Sequence, residues 1–551
     1  MKKWLPIVLL LPVLIFSQEL AVTGYYNFDG AETNVYFGDA GVRGLTAGSD
    51  LDGDGKPEII ASRYANGSGV TVLEMNGNAA EVVWFSDTTT AGATTYYSGT
   101  RIAQTADFDN DGNGEIVFFR GRYSDDPNHG LYVYEYNGTD NGYDLAFFNN
   151  LNILAGDTIS YMTIEYFVVD DVDGDGTQEI ILATNGTSWG VNRSEDFFSV
   201  LSIDQFGTPF ANLVEEYYVS AREVSGLGGG SAINVATCDT DGDGLREVYC
   251  HAWNSHNNFF FEATGPDTYT LGDTTSVQIS YGVGDHVSLM NPAVADMDGD
   301  GKDEVYVSNY YSGDIYRLVD NDGDATHFTN DEVDTLALGA GAAFGAVAAT
   351  ISDFEPTNGV FFGGSVASGG DLIRWNGTKV RKFTTDADAG GFIAKMAAAD
   401  MDGDGYDEIV SAHQSVVDSV ESISGTDTTM ILNPKYWTIR LTSHVQPVES
   451  KDFRIVLPSD YKLGNAYPNP FNPMTNIEFT LPLQKEISLV VYNLKGQEVV
   501  RLIDTQTYQP GNHVIQWNGR DAFGHQVASG TYIYTLRYGN FHLSKQVTLL
   551  K

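Results

Sequence analysis

Apolar residues along this chain come in short runs, and the polar stretches between them are acidic and rich in glycine. Residues 296–307, DMDGDGKDEVYV, set the pattern: acids at alternate positions, then an abrupt turn to Val-Tyr-Val. The same switch follows Asp50 (DLDGDGKPEII), Asp107 (DFDNDGNGEIV), Asp171 (DVDGDGTQEII), Asp239 (DTDGDGLREVY) and Asp400 (DMDGDGYDEIV). Runs of Ile, Val, Tyr and Phe this short, bounded by Gly and Asp, predict β-strands. Each acidic cluster then becomes a loop between two strands.

A degraded copy, DFEPTNGVFFGG, begins at Asp353. With it included, successive copies start 57, 64, 68, 57, 57 and 47 residues apart. A period near 60 in β-type sequence predicts a propeller or a solenoid, and a four-stranded blade uses about 40–50 residues, leaving the remainder for loops. Seven copies predict seven blades, a number that closes a ring and leaves no sheet edge exposed. The expected class is all-β.

Composition narrows the partners. The chain has 551 residues, enough for more than one domain, and its 30 basic and 74 acidic side chains leave a net charge of −44. Such a field repels nucleic acid and anionic lipid, so no nucleic-acid partner is expected. Aromatic residues at 12% and apolar residues at 42% separate the chain from acidic disordered sequences. Lys2, Lys3 and the apolar stretch Trp4 to Phe16 predict a signal peptide over 1–17, cleaved after Ser17. A retained anchor is the competing reading. No other run of about 18 apolar residues exists, so no membrane insertion of the mature chain is expected. The expectation is export through the periplasm, to the medium or the outer cell surface.

Within each intact copy the acids occupy positions 1, 3, 5 and 9, with Gly at 6. Alternate residues of a tight loop converge on one point, which is how a hard cation such as calcium gathers about 6–8 oxygens. Glycine at position 6 permits a sharp reversal. Position 7 would offer only its carbonyl, and its side chain varies freely: Lys56, Asn113, Thr177, Leu245, Lys302, Tyr406. An EF-hand would need a bidentate Glu at position 12 and flanking helices. Position 12 holds Ala61, Phe118, Leu182, Cys250, Val307 and Ser411, and strand-type residues follow position 9. EF-hands are excluded. The competing reading is a set of solvated acidic turns without an ion.

These repeats resemble the FG-GAP/VCBS type of integrin α-like propellers, whose D-x-D-x-D-G-x-x-[DE] loop binds calcium between strands. The resemblance implies ligands Asp50, Asp52, Asp54, Glu58 and the Lys56 carbonyl in the first copy. In the second and third it implies Asp107, Asp109, Asp111, Asn113, Glu115 and Asp171, Asp173, Asp175, Thr177, Glu179. The remaining sets are Asp239, Asp241, Asp243, Leu245, Glu247; Asp296, Asp298, Asp300, Lys302, Glu304; and Asp400, Asp402, Asp404, Tyr406, Glu408. About six structural calcium ions would take the formal charge from −44 to −32. The copy at Asp353 has Pro356 and Thr357 among its ligand and spacer positions and is expected to be metal-free. DNDGDATHF at 320–328 has Ala325 for glycine and Phe328 at position 9, and reads as a plain acidic turn. Cys238 and Cys250 bracket the fourth loop. In an exported protein they could form a disulfide; the alternative is two buried thiols facing different ways.

After Val445 the texture changes. Residues 446–462 read as a linker to the propeller of 18–445. Pro468, Pro470 and Pro473 then predict an extended opening, followed by seven or so short strands that suit a small Ig-like β-sandwich over 463–551. YPNPFNP, Gly496, Trp517, Gly519, Asp521, Gly524 and SGTYIY resemble a type A C-terminal sorting domain of type IX secretion cargo. A related Ig-like fold with a similar opening occurs in flagellar hook-cap proteins. The resemblance implies recognition by an outer-membrane translocon and removal or surface attachment afterwards.

Catalytic signals are sparse. There is no H-E-x-x-H, G-x-S-x-G or P-loop pattern, and GLGGGS at 226–231 lacks the Lys and spacing of a nucleotide loop. HAWNSHNNFFFE at 251–262 offers His251, His256 and an aromatic run that reads as a blade strand with its core face. Two functions stay open. One is a non-catalytic calcium propeller that binds glycan, protein or another cell. The other is a secreted polysaccharide-degrading enzyme of lyase type, for which no base and charge neutraliser stand out.

Overall fold

The computed structural model describes residues 21–27, 42–63, 69–76, 79–86, 99–120, 129–151, 153–154, 157–158, 163–185, 196–221, 232–253, 257–272, 277–278, 289–324, 328–329, 332–351, 358–364, 372–383, 391–415, 419–424, 427–432, 437–443, 454–456, 460–539 and 541–551. The signal segment, the GLGGGS stretch, His256 and the degraded loop at 353–357 lie outside them.

Strands form where the short apolar runs predict them, because alternating Val, Ile and Phe pack on both faces of a buried sheet. The first blade runs Val42–Ala47, Glu58–Arg63, Gly69–Asn76 and Ala79–Phe85, all antiparallel. Its second strand, EIIASR, is buried throughout. Five further antiparallel sheets follow in order over 103–149, 163–220, 232–271, 289–337 and 342–383, each of four strands, with Val277–Gln278 added as a fifth beside the third strand of blade four. The degraded copy therefore still makes a blade, the sixth.

The seventh blade is assembled from both ends of the propeller. Gly391–Ala399, Glu408–Ser415 and Trp437–Ser443 supply three strands, and the N-terminal Ala21–Asn27 pairs antiparallel with Trp437–Ser443 as the fourth. Neighbouring first strands pack side by side from blade to blade, and that of blade seven packs on that of blade one. The ring is closed by hydrogen bonds between residues more than 400 positions apart. Apolar layers fill the space between successive blades; one joins Leu45, Ile59 and Leu73 of blade one to Met401 and Val410 of blade seven.

Residues 446–462 are more than a linker. Arg454–Val456 pairs parallel with Ala79–Glu81 as a fifth strand on blade one, and Tyr461 already sits in the sandwich core. The run Arg-Ile-Val has the β-branched character that an open edge accepts. The C-terminal domain has seven strands in two sheets, three against four, around Trp517, Tyr534 and Phe471. Its proline-rich opening departs from the predicted extended strand. Its backbone pairs through isolated bridges, Tyr467 to Asn476 and Phe471 to Leu549, and side-chain hydrogen bonds at Pro468 and Asn469 add to them. Proline removes the N–H groups that a regular ladder needs.

The domain docks on blade one. Glu81, 2% exposed, accepts hydrogen bonds from the Tyr461 hydroxyl and from Lys485 Nζ at 3.1 Å, and Phe541 stacks on Phe85 at 6.5 Å between ring centres. No helix among the described residues is long and apolar enough to cross a membrane.

Candidate metal centres

All six intact acidic segments fall in one structural place, the connection between the first and second strands of a blade. Their backbones are held by the same hydrogen bonds. The position-6 glycine N–H donates to the position-1 carboxylate, as Gly55 to Asp50 (3.0 Å), Gly112 to Asp107 (3.1 Å), Gly176 to Asp171 (3.1 Å), Gly244 to Asp239 (3.2 Å), Gly301 to Asp296 (2.9 Å) and Gly405 to Asp400 (2.8 Å). The position-7 N–H donates to the position-5 aspartate in each loop, for example Lys302 to Asp300 at 2.9 Å and Tyr406 to Asp404 at 2.9 Å. This fixes the position-7 backbone without calling on its side chain, in keeping with the variety there. Gly301 has φ +92° and Gly405 φ +88°, the left-handed conformation that a Cβ disfavours.

The position-9 glutamate plays two parts. One oxygen accepts the position-2 N–H: Leu51 to Glu58 (2.7 Å), Phe108 to Glu115 (2.8 Å), Val172 to Glu179 (2.9 Å), Thr240 to Glu247 (2.6 Å), Met297 to Glu304 (3.1 Å) and Met401 to Glu408 (2.9 Å). These six glutamates are at most 4% exposed. Burial, aided by the neighbouring aspartates, pushes Glu58 and Glu179 up to about 9, Glu115, Glu247 and Glu408 up to about 8, and Glu304 upward. The second oxygens of Glu58, Glu115 and Glu247, and Oδ1 of Asp171, are buried without a hydrogen-bond partner. A buried acceptor left unmatched costs about 1–3 kcal/mol, more when charged. A hard divalent cation removes that cost, so the donor set fits calcium.

Convergence supports the same conclusion. One carboxylate oxygen from each of Asp50, Asp52, Asp54 and Glu58 lies within 4.8 Å of the others, as do those of Asp296, Asp298, Asp300 and Glu304, and of Asp107, Asp109 and Glu115. Asp111 groups with Asp109 and Glu135, and Asp54 also groups with Glu74 and Asp140. Asp140 comes from the turn between the third and fourth strands of blade two, and the added glutamates from third strands, where the register sets Glu58 opposite Glu74, Glu115 opposite Glu135 and Glu247 opposite Glu262. Like charges facing across a ladder destabilise it unless a cation lies nearby. In blade one Lys56 Nζ serves Glu74 at 2.6 Å and Asp54 at 2.5 Å.

Three features escape the spacing argument. Position 4 also takes a left-handed backbone, at Gly53, Asn110, Gly174, Gly242, Gly299 and Gly403; its glycines were visible in the sequence. The facing glutamates were not, because the hairpin lengths between them differ. The third is a clasp between blades. Position 8 of one loop caps position 1 of the loop before it, as Gln178 accepts the Asp107 N–H (2.7 Å) and Asp303 accepts the Asp239 N–H (3.0 Å).

The cysteines correct an expectation. Both thiols are free and buried. Cys238 lies opposite Glu247 and Cys250 opposite Val235, an odd offset that sends the two side chains to opposite faces of the sheet. Cys250 enters the core shared with blade three and Cys238 the core shared with blade five. His251 is likewise structural, its Nε2 accepting the Leu289 N–H at 3.1 Å, and Phe259, Phe260 and Phe261 are core residues.

Comparison with known proteins agrees with this architecture. Residues 50–118 and 239–307 match the FG-GAP-like repeat, and 473–540 match the FlgD Ig-like domain. The chain is a β-propeller with FG-GAP-like repeats, followed by an Ig-like domain. Similar proteins include cartilage acidic protein 1 of Xenopus tropicalis, 28% identical over 174 residues, and of Mus musculus, 30% identical over 164 residues. These matches cover 29% and 27% of this chain and 25% and 22% of those proteins, so the likeness spans a quarter of the relatives' length or less. Among solved structures, the Dos1 propeller is 11% identical with a TM-score of 0.40, covering 80% of this chain and 99% of that one. BBS1N in complex with ARL6DN gives 9% and 0.43, covering 79% and 99%. Likeness at this level says nothing of ligand or activity.

Proposed function

We propose that this chain is a calcium-braced propeller that is exported and works as a non-catalytic binding or adhesion module in the medium or at the outer cell surface. The observation that carries the calcium reading is the buried, unpartnered carboxylate oxygen in the Glu58, Glu115, Asp171 and Glu247 loops, set in a backbone built alike in all six. Asp and Glu at positions 1, 3, 5 and 9, with the position-7 carbonyl, would hold each ion. The ion would neutralise acids that otherwise repel one another across the blade junctions. The ligand sought by the rigid disc is a glycan, a protein or another cell.

The C-terminal domain is the proposed export address, read by the type IX translocon. Its support is the set of motifs at 463–551 on an Ig-like sandwich. Removing 463–551 is expected to leave the protein in the periplasm, detected by fractionation and immunoblotting; normal export of the truncated chain would refute the address.

One observation favours the lyase reading. Lys395, on a first strand, lies 5.0 Å from the Tyr166 ring centre, and burial together with the Arg101 charge lowers its ammonium to about 7. A lysine near neutrality can act as a base, and Arg101, ion-paired with Glu165 at 3.2 Å, would neutralise a substrate carboxylate only by exchanging that partner. Unsaturated products from a panel of acidic polysaccharides, lost in Lys395→Met, would establish that reading.

A further inference from the structure

The turn at Asp320 carries a feature that its spacing hides. It joins the third and fourth strands of blade five, Ile315–Leu318 and Val333–Ala337. An antiparallel blade brings its third strand back to the end where the first strand finished, so this turn lies at the end of the ring that holds the acidic loops.

The position-9 acid that the sequence lacks is supplied later in the chain. Phe328 occupies that position and is spent on the core, 1% exposed and stacked on Phe260 with 4.3 Å between ring centres. Glu332 takes over the bracing role: its Oε1 accepts the Asn321 N–H at 3.0 Å, as each position-9 glutamate accepts its position-2 N–H. Asp320 Oδ1 accepts N–H groups from Asp322 (3.0 Å) and Gly323 (2.7 Å), and Asp322 Oδ1 accepts that of Asp324 (3.2 Å).

Hydrogen bonds within an acidic turn do not require an ion, but a second observation does point to one. Asp320 is 6% exposed, and its Oδ2 is buried with no hydrogen-bond partner. Among the described residues five carboxylates share that condition: Glu58, Glu115, Asp171, Glu247 and Asp320. The first four all belong to the motif loops. An oxygen anchored through its twin to the turn's own N–H groups, buried and unmatched, is what a ligand atom looks like without its ion. The turn also adjoins the fourth motif loop, where the Asp320 charge is felt at Asp241 and the Asp324 charge at Glu262.

We propose that Asp320, Asp322 and Asp324, on a turn braced by Glu332 through Asn321 and Thr329, form a further divalent-cation site at the junction of blades four and five, outside the repeat motif. It rests on the calcium reading of the motif loops and adds an ion that their spacing does not count.

The test is a count of bound calcium on the full chain by native mass spectrometry. Asp320→Asn with Asp322→Asn keeps the oxygens that accept the turn's N–H groups, and is expected to lower the count by one. Asp296→Asn with Asp298→Asn, in a motif loop, is the control and should also remove one; all four substitutions should remove two. A full count in the 320/322 variant beside a reduced count in the control overturns this site and leaves the motif reading standing. No calcium on the unsubstituted chain overturns both. Should the double variant fail to fold, Asp322→Asn alone is read instead, with a calcium titration expected to show one site weakened about tenfold and a wild-type titration curve overturning the proposal.

Discussion

Glu58 and its five counterparts would join folding to binding, because each braces its loop through one carboxylate oxygen and, on the proposed reading, gives the second to an ion. Without metal, burial lifts the carboxyls of Glu58 and Glu179 to about 9 and those of Glu115, Glu247 and Glu408 to about 8, against about 4.3 in an unfolded chain. The folded state therefore holds protons that the unfolded state has released between those limits. That stabilisation is complete below the unfolded value and is lost as pH rises through about 8–9. In chelator, the melting temperature is expected to fall from about pH 5 to pH 9; in excess calcium the decline should largely vanish, since the ion replaces the proton. A chelated protein that gains stability over this window would contradict the assignment. Gly301 gives a second check. Its φ of +92° suits glycine alone, and an added Cβ would meet nothing within 4 Å, so only backbone strain is at stake. Gly301→Ala is expected to cost about 1–2 kcal/mol in chemical denaturation. The acids and this glycine were legible in the sequence, because loop chemistry is local. The proposed Asp320 site was not, because its bracing acid arrives at position 13 and the expected place holds a core phenylalanine.

Blades were legible as a count and not as an assembly. The period gave seven sheets, including the one with a degraded loop, since a continuous apolar run such as that in NGVFFGG still makes a buried strand after the acids are lost. The partner of Ala21–Asn27 could not be read, because nothing local marks a strand whose ladder lies at the far end of the propeller. Cys238 and Cys250 show the same limit: proximity in sequence suggested a bond, whereas register decided that the thiols face apart. Removal of residues 21–27 from the mature chain should expose the Trp437–Ser443 edge. The expected result is a lower melting temperature and concentration-dependent association in light scattering. A monomer of unchanged stability would mean that this strand does not close the ring.

Charge and closure meet in the assembled protein. A ring of seven sheets brings six acidic loops to one end of a chain already at −44, and crowding there opposes folding unless cations share the space. The C-terminal sandwich docks at the edge of blade one through Glu81, Lys485 and Tyr461, close to the first of those loops. Its Ig-like form was legible from proline, glycine and tryptophan placement, but the docking was not, because it depends on an edge strand hidden in the linker. The central claim is that divalent ions hold the acidic end of the ring together, and differential scanning calorimetry of the mature chain tests it most directly. In millimolar calcium the propeller transition should move up by well over ten degrees relative to chelator, and binding that occurs only in the folded state should keep raising it as free calcium increases. Coincident transitions in calcium and in chelator would contradict it.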